Sequence, residues 1–227
     1  MKRSCIYKAT ILGLSVVITL LTTGILHAQA EKPITNPAIG IGDPASGVSK
    51  YAQSVFQFNY PSGWTEFTQS EKSQFKQQCE AQSRHMFQAY HGRPEGYEAL
   101  VPHVFGIKAP RDVVTCVGAL VRLPAQAKDY IDAMYQRSEE VFEWGKSQGK
   151  VKEIISNRKT KIGDVPVVIS ELLWANGDKH TVITFHFSDV PTYGGTVLIV
   201  NKNGSSKENQ RQVEGIVESL VLIAPKH

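Results

Sequence analysis

Hydrophobic and polar positions along the chain follow three successive patterns. The first is a charge-free block from Ala9 to Ala30, rich in Ile11, Leu12, Val16, Val17, Ile18, Leu20 and Leu21 and preceded by Lys2, Arg3 and Lys8. A basic start, an apolar stretch and the small-residue sequence Ala28-Gln29-Ala30 form the pattern of a cleavable export signal, and cleavage is expected after Ala30. The alternative is an uncleaved anchor over residues 9–26, although Ser15, Thr19, Thr22, Thr23 and Gly24 dilute its apolar character. Residues 31–50 hold three prolines, three glycines and few large apolar groups, which predicts a flexible spacer. The folded domain is expected over residues 51–227.

The middle of the chain mixes the two structural periods. Val55-Phe56-Gln57-Phe58 reads as a strand, and Tyr60-Pro61-Ser62-Gly63-Trp64 as a turn closed by an aromatic plug. Thr68 and Glu71 have capping-box spacing, opening a helix whose apolar side carries Phe75, Cys79, Met86 and Tyr90 and which ends before Gly92. Two β-rich stretches follow, over 104–107 and 113–123. A second helix is expected over 125–147, because Ile131, Met134, Tyr135, Ser138, Phe142 and Gly145 recur at helical spacing.

The last third alternates with a period of two. Strands are predicted over 151–161, 165–174, 179–188 and 196–201, with Ile162-Gly163-Asp164 and Asn176-Gly177-Asp178 as hairpin turns. Within 179–188 one face holds Thr181, Ile183, Phe185 and Phe187 and forms core, while the other, with His180, Thr184 and His186, is left open to water. The strands at 165–174 and 196–201 are apolar on both faces and are expected to be central. A final helix over 206–220 shows Val213, Ile216, Val217 and Leu220 on one side. The fold class is α+β, an α/β/α sandwich with a central, mainly antiparallel sheet covered by helices.

Composition narrows the function. With 41% hydrophobic and 20% charged residues among 227, the chain is neither collagen-like nor wholly disordered. The leader carries three basic residues and no acidic one, so its removal takes the net charge from +4 to +1. A nearly neutral chain without a dense basic tract argues against nucleic acid or an anionic membrane surface as the main partner. Removal also leaves Cys79 and Cys116, a candidate disulfide in an oxidising compartment.

Catalytic signatures are missing from the sequence. It has no G-x-S-x-G elbow, P-loop, H-E-x-x-H helix or EF-hand spacing. His180 and His186 point the same way, yet six strand residues hold them about 20 Å apart, too far to share a metal ion. His85, His91 and His103, like these two, are read as exposed or hydrogen-bonded imidazoles. Glu139-Glu140 reads as a solvated face, and Asn203-Gly204-Ser205 as the turn before the last helix. The aromatics Tyr51, Phe56, Phe58, Tyr60 and Trp64 are assigned to the core. No cofactor or metal is implied, and no membrane span remains after cleavage.

The sequence Phe56-Gln57-Phe58-Asn59-Tyr60-Pro61-Ser62-Gly63-Trp64, the later Ile162-Gly163-Asp164-Val165-Pro166 and the terminal helix ending Glu218-Ser219-Leu220 resemble the PsbP-like superfamily over residues 51–223. Its members share a "YP-x-x-W" turn, an "I-x-G-x-P" hairpin start and a closing "SL". Here Asp164-Val165-Pro166 places one extra residue before the proline, and the long Gln-rich helix after Trp64 departs from the pattern. The resemblance implies an α/β/α accessory or protein-binding module; plant and cyanobacterial members attach to photosystem II. It transfers no binding residue. The expectation is an exported, non-catalytic accessory domain of the periplasm or cell exterior with a protein partner. The alternative is a binder of small apolar ligands, or a hydrolase, with a sheet–helix pocket near Thr184, His186 and Tyr193.

Overall fold

The computed structural model of the chain describes residues 47–91, 101–123, 130–190 and 192–225. The predicted leader with Ala28 and Ala30, residues 31–46 of the spacer, and the side chains of His85, Met86, Tyr90 and His91 lie outside the described residues and side chains.

Strand β1 (Val48–Ala52) begins inside the expected spacer because it pairs with β2 (Phe56–Pro61), Val48 opposite Pro61 and Tyr51 opposite Phe58. After the Pro61–Trp64 turn come β3 (Thr65–Glu66) and helix α1 (Gln69–His91). The capping box forms as spaced: the Thr68 N–H donates to Glu71 Oε2 at 2.7 Å, and the Glu71 N–H donates to Thr68 Oγ1 at 3.2 Å. Strands β4 (His103–Lys108) and β5 (Val114–Arg122) flank a 3-10 turn, Pro110–Asp112. Helix α2 (Tyr130–Ser147) leads into β6 (Val151–Ile162), β7 (Val165–Trp174), β8 (Lys179–His186) and β9 (Tyr193–Asn201). Helix α3 (Lys207–Ser219), capped by the Ser206 hydroxyl accepting from the Asn209 N–H, and β10 (Val221–Leu222) close the described chain.

Among the described residues the strands form two antiparallel sheets, one ordered β3-β4-β5-β9-β8-β7-β6 and the other β1-β2-β10. Strand β9 reaches the centre because it pairs with β5 on one side and β8 on the other. Strand β9 is the middle strand of the seven, with β5 and β8 on either side of it, and β7 is next to the edge.

The sheet's two faces bury different cores, as strand alternation requires. One face carries Phe105, Ile107, Cys116, Ile169, Ile183, Phe185, Val197 and Ile199, packed against Tyr51, Phe56 and Phe58 of the small sheet and Val213 and Ile216 of α3. Aromatic rings knit this side together: Phe105 lies 4.7 Å from Phe56 and 5.1 Å from Phe58 between centroids. Trp64 and Tyr60 are buried here too, as expected. The other face meets α1 through Phe75 and Cys79, which pack with Val117, Val182 and Leu198. It meets α2 through Met134 against Val168 and Phe142 against Val151 and Leu172.

Two glycines make the first face possible. A side chain at Gly118 would collide with the Phe105 ring, and one at Gly195 with the Ala119 carbonyl oxygen and the Phe185 ring. Ser138 sits on the apolar side of α2 without penalty, because its hydroxyl donates to the Tyr135 carbonyl at 2.7 Å and accepts from Asn157 Nδ2 at 2.9 Å. Ser170 completes this relay by donating to Asn157 Oδ1 at 2.8 Å.

Two expectations are corrected by this arrangement. The His180 face of β8 is not wet: His180, Val182, Thr184 and His186 are all buried. Helices cover that face, and the small sheet and α3 cover the opposite one. Cys79 and Cys116 are free thiols and form no disulfide. Cys116 points into the small-sheet core and Cys79 into the α1 core, so the larger sheet separates them.

Candidate functional site

The side chains named as a possible pocket are not brought together. Thr184 and His186 lie on the helix-covered face, with His186 5.2 Å from the Tyr130 ring. Tyr193 packs against the core on the opposite face. The period of two places odd and even positions of β8 and β9 on different sides, so Tyr193 cannot join the other two.

His180 is also sealed in, 5.1 Å from the Trp174 ring. Its Nδ1 and the Trp174 Nε1 are buried without hydrogen-bond partners among the described residues. Burial lowers its pKa to about 4, with Asp178 pulling weakly the other way. A neutral, enclosed imidazole of this kind is a core residue, not a base within reach of substrate.

An open site lies elsewhere, where α3 crosses the ends of β7, β8 and β9. A cleft of about 180 Å³ opens between sheet and helix. Its sheet wall is set by register: Glu171 pairs with Thr181 across β7 and β8, and Lys179 pairs with Asn201 across β8 and β9. Arg158 joins from the neighbouring strand β6. Its helix wall carries Gln210, Glu214 and Glu218, one turn apart, above Val213 and Val217. The wall stays in place because Val213 and Ile216 are buried in the core.

Turns brace the same end of the sheet. The Asn203 N–H donates to Asp178 Oδ1 at 2.8 Å, and Asn203 Nδ2 donates to the Asn176 carbonyl at 3.0 Å. The β7–β8 hairpin and the turn entering α3 are thereby locked together beside Lys179 and Asn201. Gly177, at φ +88°, supplies the left-handed residue the hairpin needs.

The charges in the cleft are divided between its walls. On the sheet, Lys179 Nζ lies 3.6 Å from Glu171 Oε2. On the helix, Glu214 accepts a hydrogen bond from Gln210 Nε2 at 3.4 Å, and the last turn holds no basic residue. Among the described residues no ion pair crosses from one wall to the other. Asn201 is only 7% exposed, and its Oδ1 is buried without a partner among the described residues.

Sequence reasoning did not single out these residues. The available signals were Gln210, Glu214 and Glu218 spaced four apart beside the valine stripe, and Asn201 as a polar end to Val197-Leu198-Ile199-Val200. What converts them into a site is the docking of α3, which has no local signature.

Among the described residues no group of three or more metal-ligating side chains converges, and no helix is long and apolar enough to cross a membrane. Neither a protein-family model nor a curated protein matches the chain. Among solved structures it is similar to cyanobacterial PsbP (CyanoP) from Synechocystis sp. PCC 6803, determined in solution, with 11% identity and a TM-score of 0.46 over 84% of this chain and 99% of that one. That is the family its sequence motifs resemble. An overlap this loose assigns neither partner nor role to the present chain.

Proposed function

We propose that the chain is an exported, non-catalytic accessory domain of the cell envelope that works by holding a protein partner. The basic and apolar leader supports export. The observation that carries the binding role is Trp144, 54% exposed on α2.

Helix α2 packs along β6, one of the two edge strands of the larger sheet. Trp144 is held there by the Lys150 ammonium, 5.4 Å from its ring centroid. On β6 the register shifts between Ile154 and Ser156, and Ile155 at that irregularity is exposed. An exposed Trp is the kind of side chain that anchors an interface, since Trp dominates binding hot spots, and Ile155 adds a second exposed apolar side chain on the strand that α2 packs against. Lys152, Arg158, Lys159 and Lys161 along the same strand keep it from pairing indiscriminately with other edges.

The reading is tested by placing a photo-crosslinking residue at position 144 or at exposed position 207 on α3 and irradiating intact cells. Crosslinking to one envelope protein from position 144, and not from 207, is the expected result. Equal or absent crosslinking from position 144 contradicts it.

A further inference from the structure

We infer that the cleft between α3 and the ends of β7, β8 and β9 binds a small zwitterion, with its ammonium between Asn201 Oδ1 and the helix carboxylates Glu214 and Glu218 and its carboxylate on Arg158. The site differs from the Trp144 surface and does not depend on a protein partner binding there.

Three observations support the assignment. First, Glu214 and Glu218 stand one turn apart on α3 with no cation paired to either among the described residues. Like charges at this spacing repel, and Glu218 sits at the helix end where the dipole is also negative. A bound ammonium would offset both effects. Second, the sheet wall opposite carries Arg158 and the Lys179–Glu171 pair. Arg158 has no ion-pair partner among the described residues, and its planar fork suits a carboxylate. Third, Asn201 Oδ1 is buried at the cleft without a donor. Buried acceptors are nearly always satisfied in folded proteins, and an ammonium N–H is a donor of the right kind.

Size restricts the ligand further. A volume of about 180 Å³ equals the liquid volume of about six waters, below the usual range of drug-sized pockets. The part of the ligand held inside, with both charges, is of amino-acid dimensions.

The test uses the natively processed protein and follows amide chemical shifts while titrating glycine, β-alanine and 4-aminobutanoate, zwitterions of increasing charge separation. Propylammonium and butyrate serve as half-ligands, and the N-trimethyl form of 4-aminobutanoate supplies charge without an N–H. The expected result is that at least one zwitterion shifts cleft residues, at least about tenfold more tightly than either half-ligand or the trimethyl form. The exposed double variant Glu214→Gln/Glu218→Gln should weaken that zwitterion about tenfold or more, as should Asn201→Ala. The double variant keeps the test decisive if Asn201→Ala does not fold. Absence of binding by all three zwitterions, half-ligands that bind as tightly as the best of them, or a folded double variant of unchanged affinity overturns the assignment.

Discussion

Cys79 on α1 and Cys116 on β5 face away from each other across the larger sheet, each sealed in a different core. Burial raises both thiols, Cys79 to about 12, so neither supplies thiolate at neutral pH. The protein purified from an oxidising compartment should have the same intact mass before and after reduction, apart from adducts at other sites. Both thiols should react with iodoacetamide in denaturant and stay protected in native buffer. A two-proton mass deficit removed by reductant contradicts the separation.

The Thr68–Glu71 box does more than start α1. Glu71 also takes a 2.9 Å ion pair from Lys108, tying the helix to β4. Burial alone would raise the Glu71 carboxyl, but hydrogen bonds from Lys108 and Thr68 outweigh it and hold the carboxyl below its usual value. A lowered carboxylate contributes stability above its unfolded pKa and loses it as pH falls through the folded one. Thr68→Ala should cost about 1 kcal/mol in urea unfolding. Glu71→Gln should cost a similar amount at pH 7 and less as pH falls below 4.5, the ordinary value for a glutamate carboxyl. A Glu71→Gln penalty independent of pH would show that the charge is immaterial.

His180 imposes its own acid limit at a higher pH. Its folded pKa of about 4 lies below the ordinary imidazole value of 6.5, so the unfolded chain binds more protons between these values. Stability from keeping it neutral is complete above 6.5 and declines as pH falls toward 4, by about 3 kcal/mol at most. His180→Phe, which keeps an aromatic ring beside Trp174, should flatten this part of the stability profile. Urea melts from pH 4 to 7 decide the matter, and parallel profiles for the two proteins contradict it.

Strand alternation, capping and hairpin chemistry were legible in the sequence. Thr68-x-x-Glu71 opens α1, Asn176-Gly177 turns β7 into β8, and the bounds of β7 match their apolar run. The small sheet was not legible, because β10 has two residues and its partner β2 lies far back in sequence. The faces of β8 were assigned correctly as alternating sets. Which set met water depended on helices docking from elsewhere in the chain. The cleft was hidden for the same reason: Asn201 and Glu214 become neighbours of one space only once α3 settles on Val213 and Ile216.

The two crowded glycines differ in how their collisions can be relieved. Gly118→Ala strikes the Phe105 side chain, whereas Gly195→Ala strikes the Ala119 backbone as well as Phe185. A ring can shift more readily than a sheet carbonyl, so Gly195→Ala should be the more destabilising. About 1 to 3 kcal/mol is expected for Gly118→Ala, and the upper end or beyond for Gly195→Ala. Denaturant midpoints in the reverse order would contradict this.

The proposed role requires the domain to hold a protein through the Trp144 side of the molecule. Its most direct test is a native pull-down from envelope extract with the wild-type protein, Trp144→Ala and Asn201→Ala, each first shown to be folded and then quantified by mass spectrometry. One stoichiometric protein should be recovered by wild type and Asn201→Ala, and recovered at about a tenth of that level or less by Trp144→Ala. Undiminished recovery by Trp144→Ala, or no stoichiometric protein with the wild type, would contradict it.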